Sequence, residues 1–256
     1  MIVFRSVVFN VAFYLVLFVY LIAALPTLLL PRGALLWMVR NWSCANLAML
    51  RIICGLRCEF RGLENIPQGA ALIASKHQSL WETFALITVL KDPAYILKRE
   101  LMWIPFFGWC AWKAGMIPVD RGARSAALTA MTQRAKLETE RGREIIIFPE
   151  GTRRAPGAEP KYKFGAAFLY DQLAIPCVPV ALNSGLFWPR RSFMRYPGTV
   201  RVEFLEPIAP GLDRQVFFDK LQAEIETATE RLVAMGESNV SDMRLARSRE
   251  SGDPVR

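Results

Sequence analysis

From Ser6 to Pro31 the chain carries no charged side chain, and this run limits its possible folds more than any other feature. About twenty apolar residues suffice for a helix to cross the hydrocarbon core of a bilayer, so the segment reads as a membrane helix attached to a globular body. A cleaved leader fits less well, because the run is long for one and only Arg5 supplies a preceding charge. Pro26 and Pro31 mark a kink or the end of the helix. A second apolar stretch, Ala34 to Leu56, is interrupted by Arg40 and Arg51. It suits an interfacial helix or the return arm of a hairpin. Arg32, Arg40, Arg51 and Arg57 crowd this end of the first run, which by the positive-inside rule puts the rest of the chain on the cytoplasmic side of an inner membrane.

Residues 1–56 are therefore expected to form the N-terminal membrane anchor, as one span or a re-entrant helix pair. Residues 57–235 form the globular domain, and 236–256 a polar tail without periodicity, read as disordered. Net charge is +9, which calls for anionic partners. The apolar N-terminus and the lack of a recognisable nucleic-acid-binding module favour anionic lipid and a phosphorylated substrate over nucleic acid. The five cysteines form no CxxC pair and there is one histidine, so no metal site is expected and the thiols read as free.

Within the globular part, short apolar runs alternate with helical ones. Strands are expected at 71–74, 95–97, 144–148, 177–182 and 200–205, and helices at 81–90, 123–141, 163–172 and 217–235. This order predicts an α/β fold: a mixed, partly parallel sheet flanked by helices, behind an N-terminal helical membrane anchor. No internal repeat is present.

Two motifs carry chemistry. His77, the sole histidine, follows the strand expected at 71–74, in SKHQSLWE. Glu82 lies five residues on, about 140° around a regular helix. The two meet only if His77 is on the turn and Glu82 in the first turns of the helix. Glu82 would then hold the imidazole and leave Nε2 free to take a proton from an alcohol. Taken alone, such pairs are more often structural. Ser79 and Glu82 also have the spacing of a capping box, which competes for the carboxylate. The second motif, FPEGTR, runs from Phe148 to Arg153. Its Pro and Gly make a tight turn that presents Arg153 either to a phosphate or simply to solvent.

Together, SKHQSLWE and FPEGTR resemble the glycerophospholipid acyltransferase family, whose blocks are His-x4-Asp, a Gly-containing block ending in Arg, Phe-Pro-Glu-Gly-Thr-Arg, and a Val-Pro-Val-like block. Gly115–Arg121 resembles the second block and Ile175–Val180 the fourth. Lys163-Phe164-Gly165-Ala166 is similar to the stretch that follows the third. The likeness covers about Leu56 to Leu205. It implies direct transfer of an acyl group from a thioester, acyl-CoA or acyl-carrier protein, to the sn-2 hydroxyl of lysophosphatidic acid, with no cofactor. His77 and Glu82 would be catalytic. Arg121, Glu150, Gly151, Thr152 and Arg153 would bind substrate, with Lys98 and Lys163 as further candidates. Backbone amides of the FPEGTR turn would serve an oxyanion. Glu82 departs from the family's usual Asp, and one methylene moves a carboxylate by about 1.5 Å. Two other readings stay open: a different lysolipid acceptor, or a non-catalytic lysolipid-binding protein in the membrane. Trp103, Phe106, Phe107 and Trp109 line an acyl tunnel or pack in the core or against membrane.

Overall fold

The computed structural model describes residues 1–120 and 124–251; the side chains of 124–127 and 238–251 are outside the description. Arg121, expected to bind substrate, therefore lies outside the described residues.

The helix α1 (Ile2–Ala24) and the 3₁₀ turn Leu25–Leu29 lead into α2 (Arg32–Met49), which ends in a π turn, Leu50–Cys54. The sheet strands are β1 (Leu56–Arg61), β2 (Ala71–Ser75), β3 (Pro93–Lys98), β4 (Ile117–Val119), β5 (Glu144–Ile147), β6 (Cys177–Leu182) and β7 (Gly198–Phe204). Between them lie α3 (Trp81–Ala85), α4 (Phe107–Lys113), α5 (Arg124–Thr139), α6 (Gly165–Leu173) and α7 (Ser184–Phe187), and α8 (Arg214–Ser251) closes the chain. The strand order is β1-β7-β6-β2-β5-β3-β4. Every neighbouring pair is parallel except β6 with β7, so the mixed, partly parallel sheet expected from the sequence is present.

The central strands β2, β5 and β6 are buried along their whole length, as parallel strands covered on both faces must be. Alternation splits their side chains between two layers. Ile73, Ile146 and Val178 join a core with Phe9, Phe13, Trp81, Phe84 and Trp188. Leu72, Ile145 and Cys177 face the other way, toward Tyr170 of α6 and Phe217, Leu221 and Ile225 of α8. Those α8 residues recur every four positions, the spacing of one helix face.

The anchor departs from a simple span. Ile2–Leu29 is long and apolar enough to cross a membrane. Yet Phe9 and Phe13 belong to the domain's own core, in ring contact with Trp188, Trp42 and Phe84. Polar bonds reinforce this seat: the Arg195 amide donates to Ser6 Oγ (2.9 Å), and Asn10 donates to the Phe193 carbonyl (2.8 Å). The opposite face, including Phe4, Val8, Val11, Leu15, Phe18 and Ile22, is exposed. Thus α1 is docked along the domain and presents one apolar stripe outward, and it pairs with α2. Two of the four arginines used to infer sidedness are consumed inside the protein. Arg32 pairs with Asp92, and Arg40 donates to the carbonyls of Ile87 (3.3 Å), Leu90 (2.6 Å) and Lys91.

Other corrections concern boundaries. The last helix starts at Arg214, and its backbone continues to Ser251, where a disordered tail was expected from 236. Strands β1 and β4 have no counterpart among the expected elements. Trp103 and Trp109 are 67% and 54% exposed, so they line no internal tunnel.

Candidate active site

The site lies beyond the C-terminal ends of β2, β5 and β6, the edge at which parallel sheets gather ligand-binding loops. His77 follows β2, the FPEGTR turn follows β5, and Ser184 follows β6.

His77 and Glu82 do meet. His77 Nδ1 lies 2.8 Å from Glu82 Oε1, with His77 on the turn and Glu82 in α3. A carboxylate only accepts, so the proton is assigned to Nδ1, which leaves Nε2 with its lone pair. The imidazole also stacks on Phe148, with ring centroids 4.1 Å apart and planes 20° apart. It keeps 13% of its surface exposed, while Glu82 has none.

Glu82 sits in a closed socket of donors. Its Oε1 also accepts from the amides of Gln78 (2.8 Å) and Ser79 (2.7 Å), and its Oε2 accepts from Ser184 Oγ (2.8 Å). The Trp81 amide donates to Ser79 Oγ at 3.2 Å. Only one half of the capping box expected from the spacing forms: Glu82 accepts from the Ser79 amide, while Ser79 Oγ serves the Trp81 amide, and the same Glu82 oxygen still holds His77. The extra methylene of Glu relative to Asp is absorbed here: the carboxylate reaches Nδ1 at a normal hydrogen-bond length and accepts from three further donors.

Behind the turn, Lys76 and Glu150 form a buried pair at 3.0 Å, 3% and 0% exposed. Lys76 also reaches Glu226 of α8 at 2.6 Å, and Tyr162 donates to that same Glu226 oxygen at 2.7 Å. The second oxygen of Glu150 accepts from the His77 amide (3.0 Å). Burial pushes the Glu150 carboxyl up from its ordinary range, against the pull of Lys76. Glu150, expected to bind substrate, is thus turned inward as a brace for the His77 backbone. The Arg154 amide donates to the His77 carbonyl at 2.8 Å, a second tie between the two motifs.

Gly151 has φ +65°, a left-handed conformation that favours glycine, and a Cβ there would meet the Lys163 side chain at 3.0 Å. The Lys163 stem thus runs along the turn, and its amide donates to the Pro149 carbonyl (2.8 Å). Thr152 is exposed. Among the described residues, the Thr152 and Arg153 amides have no hydrogen-bond acceptor, and the Arg153 guanidinium makes no hydrogen bond or ion pair. Lys98 lies instead at the end of β3, half exposed and paired with Glu100 at 2.9 Å.

The structure therefore brings together His77, Glu82, Gly151, Thr152, Arg153 and Lys163. Lys76, Phe148 and Ser184 were missed: Lys76 and Phe148 lie within the two motifs, but each of the three acts across a tertiary contact that the motifs do not show.

The acyltransferase family profile matches residues 57–183. Over 166 residues, 65% of each chain, the sequence is 39% identical to a 1-acyl-sn-glycerol-3-phosphate acyltransferase of Pseudomonas aeruginosa. It is 31% identical over 175 residues to the human alpha enzyme of the same name, covering 66% of this chain and 62% of that one. The chain thus spans just under two thirds of the length of these curated relatives. A crystal structure of a 1-acyl-sn-glycerophosphate acyltransferase from Thermotoga maritima has the same fold, with a TM-score of 0.75 at 23% identity over 91% of this chain and 98% of that one. With both motifs joined in one site and the acyltransferase profile spanning it, the chain belongs to the glycerophospholipid acyltransferase family.

Proposed function

We propose that this protein transfers a fatty acyl group from an acyl thioester to the sn-2 hydroxyl of lysophosphatidic acid, forming phosphatidic acid. The observation that carries this reading is the His77 Nδ1–Glu82 Oε1 contact, which leaves Nε2 with its lone pair in a loop tied through the Arg154 amide to the turn that bears Arg153. The similarity to proteins named for this activity supports it.

In the proposed reaction, His77 Nε2 takes the proton of the sn-2 hydroxyl as its oxygen attacks the thioester carbonyl. Glu82 offsets the imidazolium charge through Nδ1–H and prevents ring rotation. The carbonyl oxygen becomes an oxyanion, for which the Thr152 and Arg153 amides, without an acceptor among the described residues, are the donors that the turn offers. Collapse of this intermediate breaks the C–S bond, and the thiolate leaves with the proton held by His77. Arg153, with Arg121 and Lys163, neutralises the acceptor phosphate. Acyl-CoA and acyl-carrier protein both fit a chain of net charge +9 as donors.

The exposed stripe of α1 lies in the plane of the membrane surface in this reading, because a transverse span would pull Phe9 and Phe13 from the domain core. Trp109 and Trp112 of α4, 54% and 69% exposed, supply interfacial aromatics on a helix packed near the same turn. The domain is placed on the cytoplasmic side of the inner membrane, a reading to which Arg51 and Arg57 still contribute.

The test is an assay of purified protein with an acyl thioester and lysophosphatidic acid, run beside lysophosphatidylcholine and a lyso-aminolipid. Turnover is expected with lysophosphatidic acid above the others. Faster turnover with another lysolipid reassigns the acceptor, and binding without turnover overturns the catalytic reading.

A further inference from the structure

A cavity of about 150 Å³ opens beside Arg153, between α1, the His77 loop and the segment that follows α7. Its lining includes four arginines (Arg153, Arg190, Arg191 and Arg195) and no Asp or Glu. The cavity is well below the roughly 300–1,000 Å³ of a pocket for a whole drug-sized molecule, so it suits one small charged group.

The four guanidinium groups are not equivalent. Arg195 is committed to structure: it stacks on Trp188 at 3.8 Å and donates to the carbonyls of Ser192 (2.9 Å) and Met194 (2.8 Å) and to Asn10 Oδ1 (2.8 Å). These bonds fasten the 189–195 segment to α1. Burial pulls the Arg195 pKa down to about 10, as expected for a cation without a carboxylate beside it. Arg190 spends one nitrogen on the Arg153 carbonyl (2.8 Å), which places its head against the FPEGTR turn. Arg191 turns the chain at φ +58°. Among the described residues, the side chains of Arg153 and Arg191 have no hydrogen bond or ion pair, and Arg190 has no acidic partner.

Converging cations without a carboxylate repel one another, and a multiply charged anion relieves that cost. We propose that Arg190 and Arg191 join Arg153 in a guanidinium pocket that takes the phosphomonoester of the acceptor and makes the enzyme selective for phosphorylated acceptors. Arg153 approaches from the turn after β5, and the other two from the segment after β6. A phosphate held between these two sources is fixed relative to His77, because both loops belong to the same sheet edge. This assignment rests on the acylation reading above and adds to it the two residues that set acceptor choice.

The test uses the purified full chain, an acyl thioester, and two acceptors: 1-acylglycerol 3-phosphate and 1-acylglycerol, which lacks the phosphate. In Arg190→Gln, KM for the phosphorylated acceptor rises about tenfold, the factor carried by one charge-assisted hydrogen bond, and the preference over 1-acylglycerol shrinks by the same factor. Arg191→Gln moves both quantities in the same direction, and Arg190→Lys, which keeps the charge, recovers most of the loss. The thioester KM stays at the wild-type value. Thermal melts of each variant, with Arg190→Lys as the conservative control, separate a lost fold from a lost grip. An unchanged acceptor KM in both Gln variants, alongside a raised one in Arg153→Gln, overturns the pocket while the acylation reading stands. A rise in the thioester KM alone assigns the pocket to donor phosphates and also overturns it. Absence of acyl transfer to either acceptor in the wild type sinks the acylation reading itself, and the pocket assignment with it.

Discussion

Arginines gather at both ends of the sheet, and the two groups are built in opposite ways. At the N-terminal ends of the strands, Arg143 is 1% exposed and saturated. It bonds Glu138 (2.7 Å), Asp92 (3.2 Å) and the carbonyls of Gly115 (3.1 Å), Pro93 (2.9 Å) and Ala114 (2.9 Å). Arg32, at the base of the anchor, shares Asp92 with it and donates to the Ala114 carbonyl (3.1 Å). At the C-terminal ends, Arg153, Arg190 and Arg191 have no carboxylate partner among the described residues. A saturated guanidinium has no donors left for a ligand, so the first cluster can only join elements together. The second leaves donors and charge uncompensated, which is what binding an anion requires. Residue type alone does not separate these roles; the count of satisfied donors does.

The largest expected effect is on the saturated cluster. Arg143→Met strands Glu138 and part of Asp92 in the interior, and should cost about 3–5 kcal/mol in denaturant unfolding. The specific activity of the folded fraction should be unchanged. A cost below about 1 kcal/mol would break the contrast. Arg153→Gln should behave in the reverse sense: KM for lysophosphatidic acid rises about ten- to a hundredfold, with stability within about 0.5 kcal/mol of wild type. A large stability loss there would show Arg153 to be structural as well.

Two smaller effects sharpen the comparison. Ser184→Ala removes one donor from the Glu82 socket and should lower kcat by about three- to tenfold, with KM little changed. Asp92 is raised by burial but lowered further by Arg32 and Arg143 together, so its carboxyl titrates below its ordinary value. Its contribution to stability is therefore present above the unfolded pKa of about 3.9 and is lost as pH falls through the lower folded value. Melting temperatures measured below about pH 4 should fall less steeply in Asp92→Asn than in wild type. Parallel slopes would show that Asp92 is not linked to folding.

Much of this was legible in the sequence because the signals were local. The strand at 71–74 placed His77 at a strand end, and the Pro-Glu-Gly turn placed Arg153 at a neighbouring one. The spacing of Ser79 and Glu82 suggested a capping box, of which only the bond from the Ser79 amide to Glu82 forms, and it did not show that the same oxygen could also hold His77. Strand β1 was missed because Leu56–Arg61 continues the apolar anchor region, although its charges at alternate positions are the signature of a half-buried strand. Strand β4 has three residues, one of them a proline, which is tolerated here on an edge strand. Nothing along the chain shows that Phe148 stacks on His77, that Ser184 reaches Glu82 across 102 positions, or that Lys76 and Glu150 brace the loop from beneath. Glu150 was misread for the same reason: a motif locates a residue on a turn without showing whether its side chain points outward or inward. Arg190 and Arg191 belong to no motif, and what singles them out is visible only in three dimensions: among the described residues they have no carboxylate partner.

The central claim is that His77, oriented by Glu82, takes the proton of the acceptor hydroxyl. His77 is the only histidine, so no other imidazole can substitute. The most direct measurement is the rate of acyl transfer by purified His77→Ala, with its melting temperature and vesicle binding recorded alongside. The account predicts a fall of about a hundred- to ten-thousandfold in kcat, with melting and vesicle binding as in wild type. A folded, vesicle-bound variant that retains kcat within about threefold of wild type would contradict it, because general-base catalysis carries far more than that factor.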